Sequence, residues 1–105
     1  MDDLKTYCFD IDGTLCTNTE GGYDAAKPFP ERIAKVNELF EVGHTIVLFT
    51  ARGTTTGIDW RAVTEAQMVQ WGVKYHTLFL GKPFADIFID DRAVSDTDWF
   101  GEVEN

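Results

Sequence analysis

The sequence predicts an α/β fold: a parallel sheet with helices wound over it in three layers. Three observations carry the prediction. Four short apolar runs are rich in aromatic and β-branched residues, each reads as a strand buried on both faces, and two stretches with apolar residues at helical spacing separate the first three. Strand, helix, strand, helix, strand in that order is the pattern of a doubly wound sheet with right-handed crossovers.

The first strand is expected over Lys5–Asp10 ("KTYCFD"). Pro30 suits the first turn of the helix that follows, Ile33, Val36, Leu39 and Phe40 make its apolar stripe, and Gly43 stops it. Thr45–Thr50 ("TIVLFT") is the second strand. Asp59 is the expected N-cap of the second helix, with Trp60, Val63, Ala66 and Val69 on one face and Gly72 at its end. The third strand covers Tyr75–Leu80 and the fourth Asp86–Asp90 ("DIFID"). Between Gly81 and Asp86 there is no room for a helix, although a parallel crossover normally takes a dozen or more residues. A very short fourth strand, or a Lys82 set back from the sheet end, is the expected consequence. The last segment, "VSDTDWF", holds about one helical turn that docks Trp99 and Phe100, with an acidic tail after it.

With 105 residues, 44% of them apolar, the chain can bury one modest core, so residues 1–105 are expected to form a single domain. Nine Lys plus Arg against eighteen Asp plus Glu leave a net charge of −9, which repels polyphosphate and argues against nucleic acid as a partner. Cys8 and Cys16 have no CxxC spacing and no secretion signal before them, so reduced thiols in a cytoplasmic protein are expected. No apolar stretch approaches the roughly 18 residues of a membrane span. His44 and His76 stand singly without metal spacing and read as structural, Trp60 and Trp71 as core or interface, and Cys8 as an inert thiol on the strand face of Asp10.

Polar residues stand at the carboxyl end of each predicted strand. Asp10 and Asp12 follow the first, Thr50 and Arg52 the second, Lys82 the third, and Asp90 and Asp91 the fourth. Strand ends in an open parallel sheet converge on one crevice, the usual ligand site of such folds. Taken singly, each has an ordinary explanation as a turn, a cap or a solvated side chain. Together they would set four carboxylates side by side, an arrangement that a hard divalent cation, with Mg²⁺ the economical choice, makes tolerable. An EF-hand is excluded, because its glycine lies further along and a glutamate follows at position twelve.

"DIDGTL" at 10–15, "FTARG" at 49–53, "GKP" at 81–83 and "IDDRA" at 89–93 together resemble the four ordered motifs of the haloacid dehalogenase-like superfamily, over about residues 4–95. More narrowly, "GGYDAAKP", "TARG" and "GKPFADIFIDDRA" are similar to small phosphatases of bacterial capsule and surface-polysaccharide biosynthesis. The resemblance implies a Rossmann-like core and a Mg²⁺-dependent phosphomonoester hydrolase working through an aspartyl-phosphate. In it Asp10 is the nucleophile and Asp12 the general acid and base. Thr50 and Lys82 hold the phosphoryl group, and the metal ligands are the Asp10 carboxylate, the Asp12 carbonyl and Asp90 or Asp91. An aspartate at position 12 favours phosphatase or phosphotransferase chemistry over dehalogenation or pump chemistry.

In that family specificity caps are inserted after the first motif or between the second and third. From Leu15 to Pro30 there is room only for a flap, and from Thr50 to Lys82 only for a helix and a strand, so the protein is expected to be capless. Water would be excluded by the flap around Thr17 to Pro28, by a large substrate, or by a neighbouring subunit of a homo-oligomer. Tyr23, Lys27 and above all Arg52 are the candidates for contacts to a phosphorylated small molecule. Three alternatives remain: a phosphoacceptor or regulatory protein without turnover, a polynucleotide phosphatase, and a phosphoprotein phosphatase. A receiver-type module fits less well, since there the acidic pair leads and the acceptor aspartate lies mid-chain.

Overall fold

A computed structural model of the chain describes residues 3–101. Strand β1 is Thr6–Asp10, helix α1 Pro30–Val42, strand β2 Thr45–Thr50, helix α2 Arg61–Gln70, strand β3 Thr77–Leu80 and helix α3 Asp96–Phe100. One 3₁₀ turn, Tyr23–Ala25, lies between β1 and α1. Pro30 opens α1, and Gly43 closes it in the left-handed conformation at φ 111°, as its sequence position predicts. Asp59 accepts the Arg61 N–H at 3.0 Å, one residue outside the helix boundary that Trp60 forms.

The three strands are parallel in the order β1-β2-β3, with Phe9 opposite Leu48 and Leu48 opposite Leu78. Two right-handed crossovers that step in the same direction put α1 and α2 on the same side of the sheet. That side carries the core: Phe9, Ile46, Leu48 and Leu78 from the strands meet Ile33 and Val36 of α1, Met68 of α2 and Phe100 of α3. The described residues therefore form two layers, not the three expected. The register puts Cys8, Asp10, Val47, Phe49, Thr77 and Phe79 on the opposite face, where Cys8 and Phe79 are exposed.

No fourth strand forms among the described residues. Phe84, Ile87, Phe88 and Ile89 are exposed, Ile89 at 96%, where a strand buried on both faces had been expected. The connection explains the miss. Residues 81–85 reach at most about 17 Å, too little for a sideways step across the sheet together with a return along a strand's length.

Both histidines serve the sheet. The Lys5 N–H donates to His44 Nδ1 and the Ile46 N–H to His76 Nδ1, each at 3.0 Å, so an imidazole finishes the backbone pairing where β1 and β2 begin. The last helix docks as expected: Trp99 packs edge-on to Tyr7 and Phe9, and Phe100 is buried. Its attachment also uses a residue that the apolar pattern passed over. Arg32, buried between the rings of Phe29 and Phe100, donates to Asp96 at 2.6 Å and to the Thr14 carbonyl at 3.1 Å. The acidic tail predicted beyond Gly101 lies outside the described residues.

Candidate active site at the carboxyl end of the sheet

β1 ends at Asp10, and the chain turns at once. The Ile11 carbonyl accepts the N–H groups of Thr14 and Leu15 at 3.1 and 2.8 Å, while Gly13, at φ 84°, takes a conformation that strains any residue with a Cβ. Asp12 therefore stands in the turn and not on the pleat, and its carboxylate is placed by contacts rather than by strand alternation.

Lys82 reaches Asp10. Its backbone N–H donates to the Thr50 carbonyl at 3.1 Å, its own carbonyl accepts the Thr54 hydroxyl at 2.8 Å, and its Nζ lies 3.5 Å from Asp10 Oδ1. The ammonium sits over the rings of Phe49 and Phe88, at 4.6 and 4.5 Å. The short connection thus leaves Lys82 at the crevice while sacrificing the strand after it. Burial pushes the Asp10 carboxyl above its ordinary value, and Lys82 opposes that rise without cancelling it. Asp10 keeps 32% of its side-chain surface open, so it remains accessible.

Asp12 is held differently. Arg52 donates from Nε to Oδ2 and from Nη2 to Oδ1, each at 2.9 Å, the fork-to-fork geometry of a bidentate pair. The Arg52 side chain has no solvent exposure. Its Nη1 serves Thr64 Oγ1 at 3.0 Å and Gln67 Oε1 at 2.6 Å, and Nη2 also reaches Cys16 Sγ at 3.9 Å. This placement corrects the expectation that Arg52 binds substrate, since a fully buried guanidinium with every N–H engaged has no donor to offer a ligand.

The same cluster explains why α2 does not bury the face expected of it. Thr64, Gln67 and Met68 point inward, whereas Val69 is 80% exposed. A buried guanidinium requires polar partners, and that requirement overrides the apolar count. Sequence reasoning missed Thr64 and Gln67. The signal was there in the spacing of Trp60, Thr64, Gln67, Met68 and Trp71, a helical stripe bracketed by two tryptophans.

Thr50, at the end of β2, is 1% exposed, and its Oγ1 accepts the Arg52 N–H at 3.1 Å, leaving its own O–H to donate. The flap is pinned at its neck, where Thr17 and Lys27 exchange two hydrogen bonds of 2.9 Å, and along its length, where Gln67 Nε2 donates to the Tyr23 carbonyl at 2.6 Å. Tyr23 lays its ring 4.8 Å from the Arg52 guanidinium carbon and edge-on to Trp60, so it is an anchor of the flap. The Lys27 side chain is exposed.

Asp90 and Asp91 do not join Asp10 and Asp12. Both are exposed in the segment after Lys82, and Asp90 Oδ1 accepts the Arg92 N–H at 2.8 Å, which holds the Asp90 carboxyl below its usual value. The described residues hold no group of three His, Cys, Asp or Glu placed to share a metal ion. The donor types suit Mg²⁺, but with Asp90 and Asp91 apart from Asp10 and Asp12 their arrangement does not assemble its site.

No described helix is long and apolar enough to cross a membrane. No family model matches the sequence, and no curated protein is significantly similar to it. Among solved structures the chain is similar to a structural-genomics target from Vibrio cholerae, known by its crystal structure, at a TM-score of 0.82 and 27% identity over 91% of this chain and 87% of that one.

Proposed function

We propose that the chain is a phosphomonoester hydrolase that works through an aspartyl-phosphate on Asp10. The observation that carries the reading is the pairing at the sheet end: an accessible aspartate 3.5 Å from a lysine ammonium, with a second aspartate two residues on held by a buried arginine. An Asp10 carboxylate oxygen attacks phosphorus, forming the acyl-phosphate O–P bond as the ester O–P bond breaks. The leaving oxygen takes a proton from Asp12. Water then attacks the acyl-phosphate, gives its proton back to Asp12, and releases phosphate with Asp10 regenerated. Lys82 cancels charge on the nucleophile and on the incoming phosphoryl group; the resemblance alone gives the Thr50 hydroxyl a phosphoryl contact, since Thr50 is buried and the register sets it on the sheet face away from Asp10.

The four-motif resemblance to the haloacid dehalogenase-like superfamily supports this reading. Its narrower likeness points to a sugar phosphate or related small metabolite of polysaccharide biosynthesis, in the cytoplasm. In the resemblance Mg²⁺ would supply further charge neutralisation through the Asp10 carboxylate, the Asp12 carbonyl and Asp90 or Asp91, of which the last two stand apart from the others in this structure.

Hydrolysis of p-nitrophenyl phosphate tests the proposal. Asp10→Asn is expected to lose at least about 10³-fold in kcat/KM while keeping the wild-type circular dichroism, since a neutral amide oxygen is a far weaker nucleophile than a carboxylate. Undiminished turnover by Asp10→Asn would refute the mechanism. EDTA separates the metal from the rest: loss of activity restored by Mg²⁺ supports the cofactor, and activity unchanged by EDTA leaves Lys82 as the neutralising charge.

A further inference from the structure

We infer that Arg52 is a positioning residue that selects which oxygen of Asp12 exchanges the proton, and that Tyr23 ties this selection to the flap. The inference rests on the phosphatase reading and adds to it a role for the cluster around Arg52, whose side chain has no solvent exposure.

The lone pairs of Asp12 can be counted. A carboxylate offers four acceptor sites, two on each oxygen. Oδ1 takes Arg52 Nη2 at 2.9 Å and lies 3.5 Å from the Cys16 thiol, whose single proton it shares with the Ile11 carbonyl at 3.6 Å. Oδ2 takes only Arg52 Nε, at 2.9 Å, among the contacts of the described residues. Oδ2 is therefore the less engaged oxygen, with an acceptor site that no described donor approaches. The proton for the leaving oxygen is carried there: the Oδ2–H bond breaks as the new O–H bond forms on the departing alcohol, and Asp12 is left as the carboxylate that the guanidinium is shaped to hold. The next proton, from water, returns to the same site.

Arg52 can hold that geometry only because nothing else can claim it. Its five N–H donors go to Asp12 twice and to Cys16, Thr64 and Gln67 once each. Thr64 is fixed in turn, since its hydroxyl donates to the Trp60 carbonyl at 2.7 Å. Gln67 has one end of its amide on Arg52 and the other on the Tyr23 carbonyl, and the Tyr23 ring covers the guanidinium. A displaced flap would withdraw both Tyr23 contacts, so the flap and the Asp12 carboxylate are seated by one set of bonds.

A comparison of two esters tests this. Expulsion of phenol from phenyl phosphate needs a proton, whereas 2,4-dinitrophenolate leaves without one, and kcat/KM isolates the step in which the ester bond breaks. Arg52→Lys cannot reproduce a bidentate fork. Its kcat/KM for phenyl phosphate is expected to fall by about 10²-fold or more, the scale of general-acid catalysis, and for 2,4-dinitrophenyl phosphate by under about threefold. Tyr23→Ala leaves the buried ion pair intact and lies on the flap, so it remains informative if Arg52→Lys does not fold. It is expected to show the same ester preference at about 5- to 10-fold. Equal losses on both esters, in whichever variants fold, would overturn the inference and leave the phosphatase reading standing. A wild-type protein that cleaves neither ester would overturn both.

Discussion

Replacing Lys82 by methionine separates two contributions that the ammonium makes, because only one of them depends on pH. The side chain keeps most of its apolar stem but loses the ammonium, the atom that lies over Phe49 and Phe88. At 3.5 Å and an effective dielectric constant of about 20, the attraction to Asp10 has a ceiling of about 5 kcal/mol. Asp10 is partly solvated, so the realised loss is set at about 1–2 kcal/mol, between exposed and buried pairs. The two ring contacts add about 0.5–1 kcal/mol. Thermal melting should then drop by on the order of 10 °C at neutral pH, at roughly 4–8 °C per kcal/mol for a domain of this size.

The pH dependence has a definite sign. The Asp10 carboxyl lies above its ordinary value in the fold, first because of burial and despite Lys82. The folded state therefore holds this proton more tightly than the unfolded chain, and ionised Asp10 costs stability as pH rises through the folded value. Removing Lys82 enlarges that cost. The gap between wild-type and Lys82→Met is expected to be widest at pH 7–8, and to shrink towards pH 4 as Asp10 protonates, leaving the ring contribution. Differential scanning fluorimetry across that range reads it directly. A gap constant to within about 2 °C from pH 4 to pH 8 would show that the two side chains are not coupled in solution.

Two further outcomes follow from single residues. Gly53, at φ 81°, would place a Cβ 2.0 Å from the Ile58 carbonyl oxygen, so Gly53→Ala should cost more than about 2 kcal/mol and lower the melting temperature by about 8 °C or more; an unshifted melt would mean that the 53–58 turn is not formed as described. Burial, with Asp12 beside it, pushes the Cys16 thiol up to about 12, whereas Cys8 is exposed. Ellman's reagent at pH 8 should therefore titrate one thiol in the native protein and two in guanidinium chloride, and rapid native reaction of both would contradict the sealed Asp12 cluster.

The parts of this molecule that local chemistry decides were legible in the sequence. Pro30 and Gly43 bound α1 because one lacks an N–H and the other tolerates positive φ, which hold wherever the helix packs. The end of β1 and the polar residues that follow β1, β2 and β3 were legible for the same reason. The buried face of α2 was not, because it depends on a charge that enters from another element: without Arg52, Val63, Ala66 and Val69 would be the natural inward set. The segment 86–90 failed the other way. Its composition suits a buried strand, but the length of chain before it denies the partner, and apolar content alone does not create one.

The two ion pairs at the sheet end divide into one that can be opened and one that cannot. Asp10 and Lys82 meet through a single contact of 3.5 Å, with 32% and 14% of their side chains open, and the Lys82 ammonium otherwise lies over the rings of Phe49 and Phe88. An incoming dianion can therefore draw Lys82 to itself at a cost of about 1–2 kcal/mol and leave Asp10 free to attack, since a single, partly solvated contact holds the pair. Asp12 and Arg52 share two contacts of 2.9 Å, with 15% and 0% open, and freeing that guanidinium would strand a buried charge at about 3–5 kcal/mol. Attack requires a carboxylate that can exchange its partner, and repeated proton transfer at one atom requires a carboxylate that cannot. The difference between a lysine on an aromatic floor and an arginine sealed by a helix is what gives two aspartates, one residue apart, separate work.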